Sequence, residues 1–175
     1  MKAAVRSVLD AIYFTSGVAA ALCLIAILVL IVLQMLARWT GEVFPGAPEY
    51  AGYAMAAASF LAFAHALNRG SHIRVSLLLN AVPPAARRWV DLWCFAIGTA
   101  LGWYFVYFCA RFVFWSWKFN DISQGQDATL MWIPQSFVLV GSFVFALALT
   151  DNTLSLITDG KSRVKTIVID KSEAE

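Results

Sequence analysis

Apolar residues in this chain fall into four long runs and show no strict alternation. The first extends from about Ala11 to Ala37, with Gln34 its only strongly polar member. The second, Glu49 to Leu67, has no charge after its first residue. The third, about Trp89 to Trp117, has Asp91 near one end and Arg111 near the other, and the fourth, about Met131 to Leu149, stops before Asp151. A helix needs about 20 apolar residues to cross the hydrocarbon layer. Each run is too long for a strand, and backbone amides in lipid must be satisfied within their own segment. The pattern predicts an all-α membrane protein with four transmembrane helices in a single domain over residues 1–158. The charged remainder, 159–175, is expected to be a mobile tail.

Composition agrees. The chain has 175 residues, 61% hydrophobic and 14% charged, with mean hydropathy +0.71; a soluble domain is nearer half apolar and a quarter charged. Lys2 and Arg6 precede the first run, as in a secretory signal. That run is too long for a typical signal core and no small-residue cleavage site follows, so a retained signal anchor is expected.

Basic residues set the expected orientation. Lys2, Arg6, Arg69, Arg74, Arg87, Arg88, Lys161, Arg163, Lys165 and Lys171 fall on one side, and only Arg38, Arg111 and Lys118 on the other. Both termini and the middle loop are thus expected in the cytoplasm. Tryptophans frame the same layer, with Trp89 and Trp93 inside and Trp39, Trp115, Trp117 and Trp132 outside. Runs one and three exceed the ~30 Å core and must tilt or project.

Between helices two and three, Gly70 ends one helix and Pro83–Pro84 precede the next. Ile73, Val75 and Leu77 to Leu79 between them form a short apolar stretch flanked by Arg74 and Arg87. It is too short to span and is expected to lie along the inner headgroup layer. Ala54, Ala58, Ala62 and Ala66 form a row of small residues on helix two, and Gly98 and Gly102 repeat the relation on helix three. Such rows permit close backbone approach, within this bundle or against a partner subunit.

Chemistry is sparse. No acid or base sits at mid-depth, which argues against an ion-coupling site or a small exporter in this chain. His65 and His72 lie at a helix end and in the adjoining loop, poorly placed for haem between facing helices. Cys23, Cys94 and Cys109 lie in apolar runs without metal spacing, and Cys94 and Cys109 are about 22 Å apart along one helix, too far for a disulfide. No cofactor, metal or catalytic set is expected. A net charge of +2 gives no support to a nucleic-acid partner.

Several motifs occur in one order. Gln34, Arg38 and Trp39 close the first helix as Gln-x-x-x-Arg-Trp, and a proline-bearing loop leads to Glu49, which opens the second. Phe60-Leu-Ala-Phe follows, then Asn68-Arg-Gly-Ser with His72-Ile-Arg74-Val at its inner end; Trp132-Ile-Pro134 opens the fourth. From roughly Ala11 to Leu156 the chain resembles the small membrane subunit of tripartite ATP-independent periplasmic (TRAP) transporters. Departures are Ser76 where the family usually has an acid, Tyr50 for the second of a frequent Glu pair, and Tyr53 for a frequent arginine.

The resemblance implies a bacterial inner-membrane uptake system of three parts. A soluble periplasmic protein captures a carboxylate-bearing solute, and a large membrane subunit moves it inward as a sodium-driven elevator. The small subunit would bind neither solute nor ion, brace the large subunit and help dock the binding protein. On this reading Arg38 and Glu49 are expected to pair at the outer interface, and His72 and Arg74 to anchor the inner loop through lipid headgroups or the large subunit. Two other readings stay open: an enzyme-complex anchor, which would show a haem spectrum, and a free-standing transporter, which would work alone in liposomes.

Overall fold

In a computed structural model, the described residues are 2–42, 44–68 and 84–159. They form four helices: α1 (Lys2–Thr40), α2 (Ala47–Asn68), α3 (Pro84–Phe119) and α4 (Trp132–Asp159). All four are long and apolar enough to cross a membrane. The stretch expected along the headgroups and the tail beyond 159 lie outside the described residues.

The helices outrun the apolar runs. α1 begins at Lys2 rather than Ala11, and α4 continues to Asp159 rather than ending at Leu149. Charge stops an apolar run without stopping a helix, because Lys, Arg, Ala and Leu are good helix formers wherever the axis leaves lipid. α4 also continues because its last turns are packed: Asn152, Ser155 and Leu156 are buried.

Two helices end in a left-handed residue. Gly41 has φ 79° after α1 and Asn120 has φ 50° after α3. In each case the next amide reaches back five residues, Glu42 N to Ala37 O at 2.9 Å and Asp121 N to Ser116 O at 3.0 Å. These bonds satisfy carbonyls the helix leaves open, and Arg38 and Lys118 lie in the same last turns, where a cation suits the helix dipole.

α2 and α4 form the centre, α1 packs on α2 and α3 on α4, so the order across the bundle is α1–α2–α4–α3. The flanking helices bury one narrow stripe each. On α1 it runs through Tyr13, Ser16, Ala20, Cys23, Ile27, Leu30, Gln34 and Ala37; on α3 through Leu92, Phe95, Thr99, Gly102, Val106, Cys109, Val113 and Ser116. Both step alternately by three and four, the 3.5-residue period of a left-handed coiled-coil seam. Most other positions on α1 and α3 are exposed in the chain alone.

Candidate functional site

Close backbone approach is concentrated at glycines. A Cβ on Gly141 of α4 would lie 2.6 Å from the Phe60 carbonyl carbon and 2.8 Å from Leu61 N, so α4 touches the backbone of α2 there. On the opposite side of α2, Gly17 of α1 sits under the His65 ring, 2.7 Å from where its Cβ would be. One turn away Ser16 Oγ donates to the Leu61 carbonyl. α2 is thus held from both sides around Leu61.

The expected small-residue rows have a different weight. Of the alanine row only Ala58 is buried; Ala54, Ala62 and Ala66 are half-buried, and the deepest face of α2 runs through Ala57, Leu61, Ala64 and Leu67. A strict four-residue row drifts around a helix of 3.6 residues per turn, so it cannot stay on one seam. Gly98 and Gly102 face Leu149 and Ala146 of α4 at ordinary contact distance, 3.4–3.6 Å at the nearest atoms. They pack inside the chain's own bundle and floor an apolar groove of about 600 Å³ walled by Phe60, Phe63 and Phe105.

At the terminal end, polar side chains link the helices. The Asn152 amide, fully buried, donates to Ala148 O at 2.8 Å and to Asn68 Oδ1 at 3.3 Å, tying α4 to the Asn68 that opens the loop motif. Thr99 and Thr153 hydroxyls lie 2.9 Å apart, and nearer the middle of α3 Trp103 Nε1 donates to Thr150 Oγ1 at 3.0 Å, joining α3 to α4. His72 and Arg74 lie outside the described residues.

The loop end carries the most organised polar cluster. Residues 120–131 fold back on themselves: Ser123 N donates to Thr129 O at 2.8 Å, Met131 N to Asp121 O at 2.9 Å, and Ile122 pairs with Leu130. Tyr53, on α2, points its hydroxyl into this loop, 2.8 Å from Ser123 Oγ and 3.0 Å from Asp127 Oδ2. A phenol has one proton and a carboxylate only accepts. With Asp127 ionised, that proton goes to the carboxylate. Desolvation pushes the Asp127 carboxyl up, but hydrogen bonds from Thr129, Ser123 and Tyr53 outweigh it and hold the group down at about 2.

The first loop closes on the second. Gly46, at φ 79°, leaves room for Asp127, whose Cβ would lie 3.0 Å from a Cβ added there. Glu49 packs on Gly125, its Cγ 2.6 Å from the corresponding position. This corrects the expected Arg38–Glu49 pair: Glu49 is turned to the second loop, Arg38 is exposed, and no ion pair joins them among the described residues. A carboxylate opening α2 finds its place at a glycine 76 positions on, which no local reading of the first loop reveals.

Below this clasp, Ala54 and Pro134 line an apolar cavity of about 280 Å³ with Tyr50, Tyr53 and Cys23. Gln34 is half-buried on the stripe that α1 turns toward α2. Tyr53, Asp127, Gly46, Gly125, Gly17 and Gly141 are the organising residues sequence reasoning missed. The tyrosine stood out only as a departure from a family pattern, and no motif singled out the glycines.

Among protein-family models, the one for tripartite ATP-independent periplasmic transporters, DctQ component, matches residues 27–159. Comparison with curated proteins returns no match, and neither does comparison with solved structures. The match takes in the last third of α1, the clasped loops and all of α2, α3 and α4. The chain belongs to the DctQ family, and is a component of a TRAP transporter, not an enzyme.

Proposed function

We propose that this small permease subunit braces the large transport subunit and presents the clasped loop end to the periplasmic solute-binding protein. The system would import a carboxylate-bearing solute on a sodium gradient, in the bacterial inner membrane, with both termini of this chain cytoplasmic. The observation that carries the bracing role is the burial pattern of the flanking helices. α1 and α3 each bury one stripe and leave broad apolar sides uncovered by this chain; that of α1, and the flanks of α3 on either side of its Tyr104–Lys118 face, are open to another membrane protein.

The docking role is supported by the clasp. A surface that meets a soluble partner repeatedly gains from being ordered beforehand, because less entropy is lost on contact. Both loops are fixed to α2 and to each other, and Trp39, Phe44, Phe119 and Ile122 stay exposed around them. Orientation rests on the ten-to-three division of basic residues.

The test is uptake in cells that carry the large subunit and the binding protein, with and without this chain. Uptake should require it, and the large subunit should copurify with it. A cysteine at Gln124, after Cys23, Cys94 and Cys109 are replaced, should react with an impermeant maleimide in intact spheroplasts; one at Lys161 should react only after lysis. Reversed labelling would overturn the orientation, and full uptake without the chain would overturn the bracing role.

A further inference from the structure

The side of α3 turned away from the bundle has a chemistry of its own. Tyr104, Tyr107, Phe108, Arg111, Trp115 and Lys118 are all exposed and all fall on one face, opposite the stripe that packs on α4. The Arg111 guanidinium lies 6.0 Å from the Tyr107 ring centroid, the outer limit of a cation–π contact, and Lys118 lies 4.9 Å from the Trp115 ring. Neither cation has a hydrogen bond or ion pair among the described residues. The only acid on α3 is Asp91, at the far end.

Depth gives the pair its meaning. The apolar span of α3 is Trp89–Phe119, centred on Tyr104. With a rise of 1.5 Å per residue, Arg111 stands about 10 Å from that centre and Lys118 about 21 Å. The apolar layer ends about 15 Å from the centre. The two cations therefore bracket the boundary, one a few ångströms inside it and one outside. Long basic side chains at such depths extend toward the headgroups, and phenol and indole rings suit the same layer.

We infer that this face binds the headgroup phosphate of an anionic phospholipid between Arg111 and Lys118, its acyl chains running over Tyr104, Tyr107 and Phe108. Charge complementarity selects the ligand. A protein helix is the poorer occupant: helix seams in membranes are rich in small residues, and from Tyr104 to Lys118 this face has none. That the lipid belongs to the outer leaflet rests on the proposed orientation; the binding itself does not.

The experiment places the full chain in nanodiscs of phosphatidylglycerol diluted in phosphatidylcholine and counts co-isolated lipids by native mass spectrometry. Both leaflets have one composition, so an error in orientation cannot mimic failure of the site, and spheroplast labelling reads orientation separately. Phosphatidylglycerol should be enriched over its bulk fraction, each cation contributing about a factor of five. R111Q and K118Q should each lose about that factor, and the double variant should return to the bulk fraction. R111K/K118R, which keeps both charges, should retain the enrichment. No enrichment in the parent chain would overturn the site, as would equal enrichment in the double variant. If the double variant kept its lipid but lost the large subunit on purification, the face would belong to a protein partner and the inference would fall.

Discussion

At the scale of single residues, one tyrosine and a few glycines set the geometry. Tyr53 connects a transmembrane helix to a loop 70 positions away by one hydroxyl. Tyr53→Phe should leave the helices intact and loosen the second loop, so the amides of Ser123 and Met131, now bonded at 2.8 and 2.9 Å, should exchange faster. Asp127 fixes the pH dependence. Its folded pKa, about 2, lies below its ordinary 3.8, so its contribution is fully present above about 3.8 and lost as pH falls through about 2. Protection of those amides by the clasp should be flat from neutral pH down to about 4 and fall below it. Loss of protection already near neutral pH would show that another group controls the loop. The glycines give a sharper contrast. Gly141→Ala sets a methyl against the α2 backbone and should cost about 2–3 kcal/mol in thermal or denaturant unfolding. Gly98→Ala meets only the end of Leu149 at 3.6 Å and should be neutral or slightly stabilising. Equal effects would mean that α4 can slide away from α2.

At the scale of elements, the helices differ in how they are held. α1 and α3 lean on long seams of period 3.5, while α2 and α4 join through close backbone contact and the Asn68–Asn152 bond. Asn152→Leu should destabilise the bundle by about 1–2 kcal/mol. In a double-mutant cycle with Asn68→Leu, the coupling should be about 0.6 kcal/mol, the usual size for side-chain bonds between membrane helices. Zero coupling would assign the cost to packing alone. These elements also mark what the sequence discloses. Four apolar runs fix the number and type of helices, because the bilayer imposes a length and forbids unpaired amides. They do not fix the ends: Lys2 to Asp10 and Thr150 to Asp159 are helical through propensity and packing, which hydropathy does not register. Nor do they fix the seam of α2. The alanine row is conspicuous in the chain, whereas Ala57, Leu61, Ala64 and Leu67 emerge only once α1 and α4 are in place. The clasp was illegible for a related reason: its partners lie 70 or more positions apart, and no local pattern joins Glu49 to Gly125 or Tyr53 to Asp127.

At the scale of the whole molecule, the order α1–α2–α4–α3 gives a bundle whose two central helices are more buried than the two that flank them. Lipid alone satisfies apolar side chains, so exposure in a membrane carries no hydrophobic penalty and does not by itself demand a partner. A partner changes the balance by mass action. If the large subunit binds only the folded chain, it adds stability of RT ln(1 + [L]/Kd), about 2.7 kcal/mol when its concentration exceeds Kd a hundredfold. For a chain of this size that should raise the melting temperature by roughly 5–10 °C. The shift is measurable as heat-induced loss of the tagged small subunit from solution in mild detergent, alone and co-expressed with its large subunit. The protection should be confined to variants that still copurify, and it should persist in Tyr53→Phe, whose defect lies in the loops and not on the flanking helices. An identical melting temperature with and without the large subunit would mean that the exposed sides of α1 and α3 meet only lipid. The bracing role would then have to rest on the loop end alone.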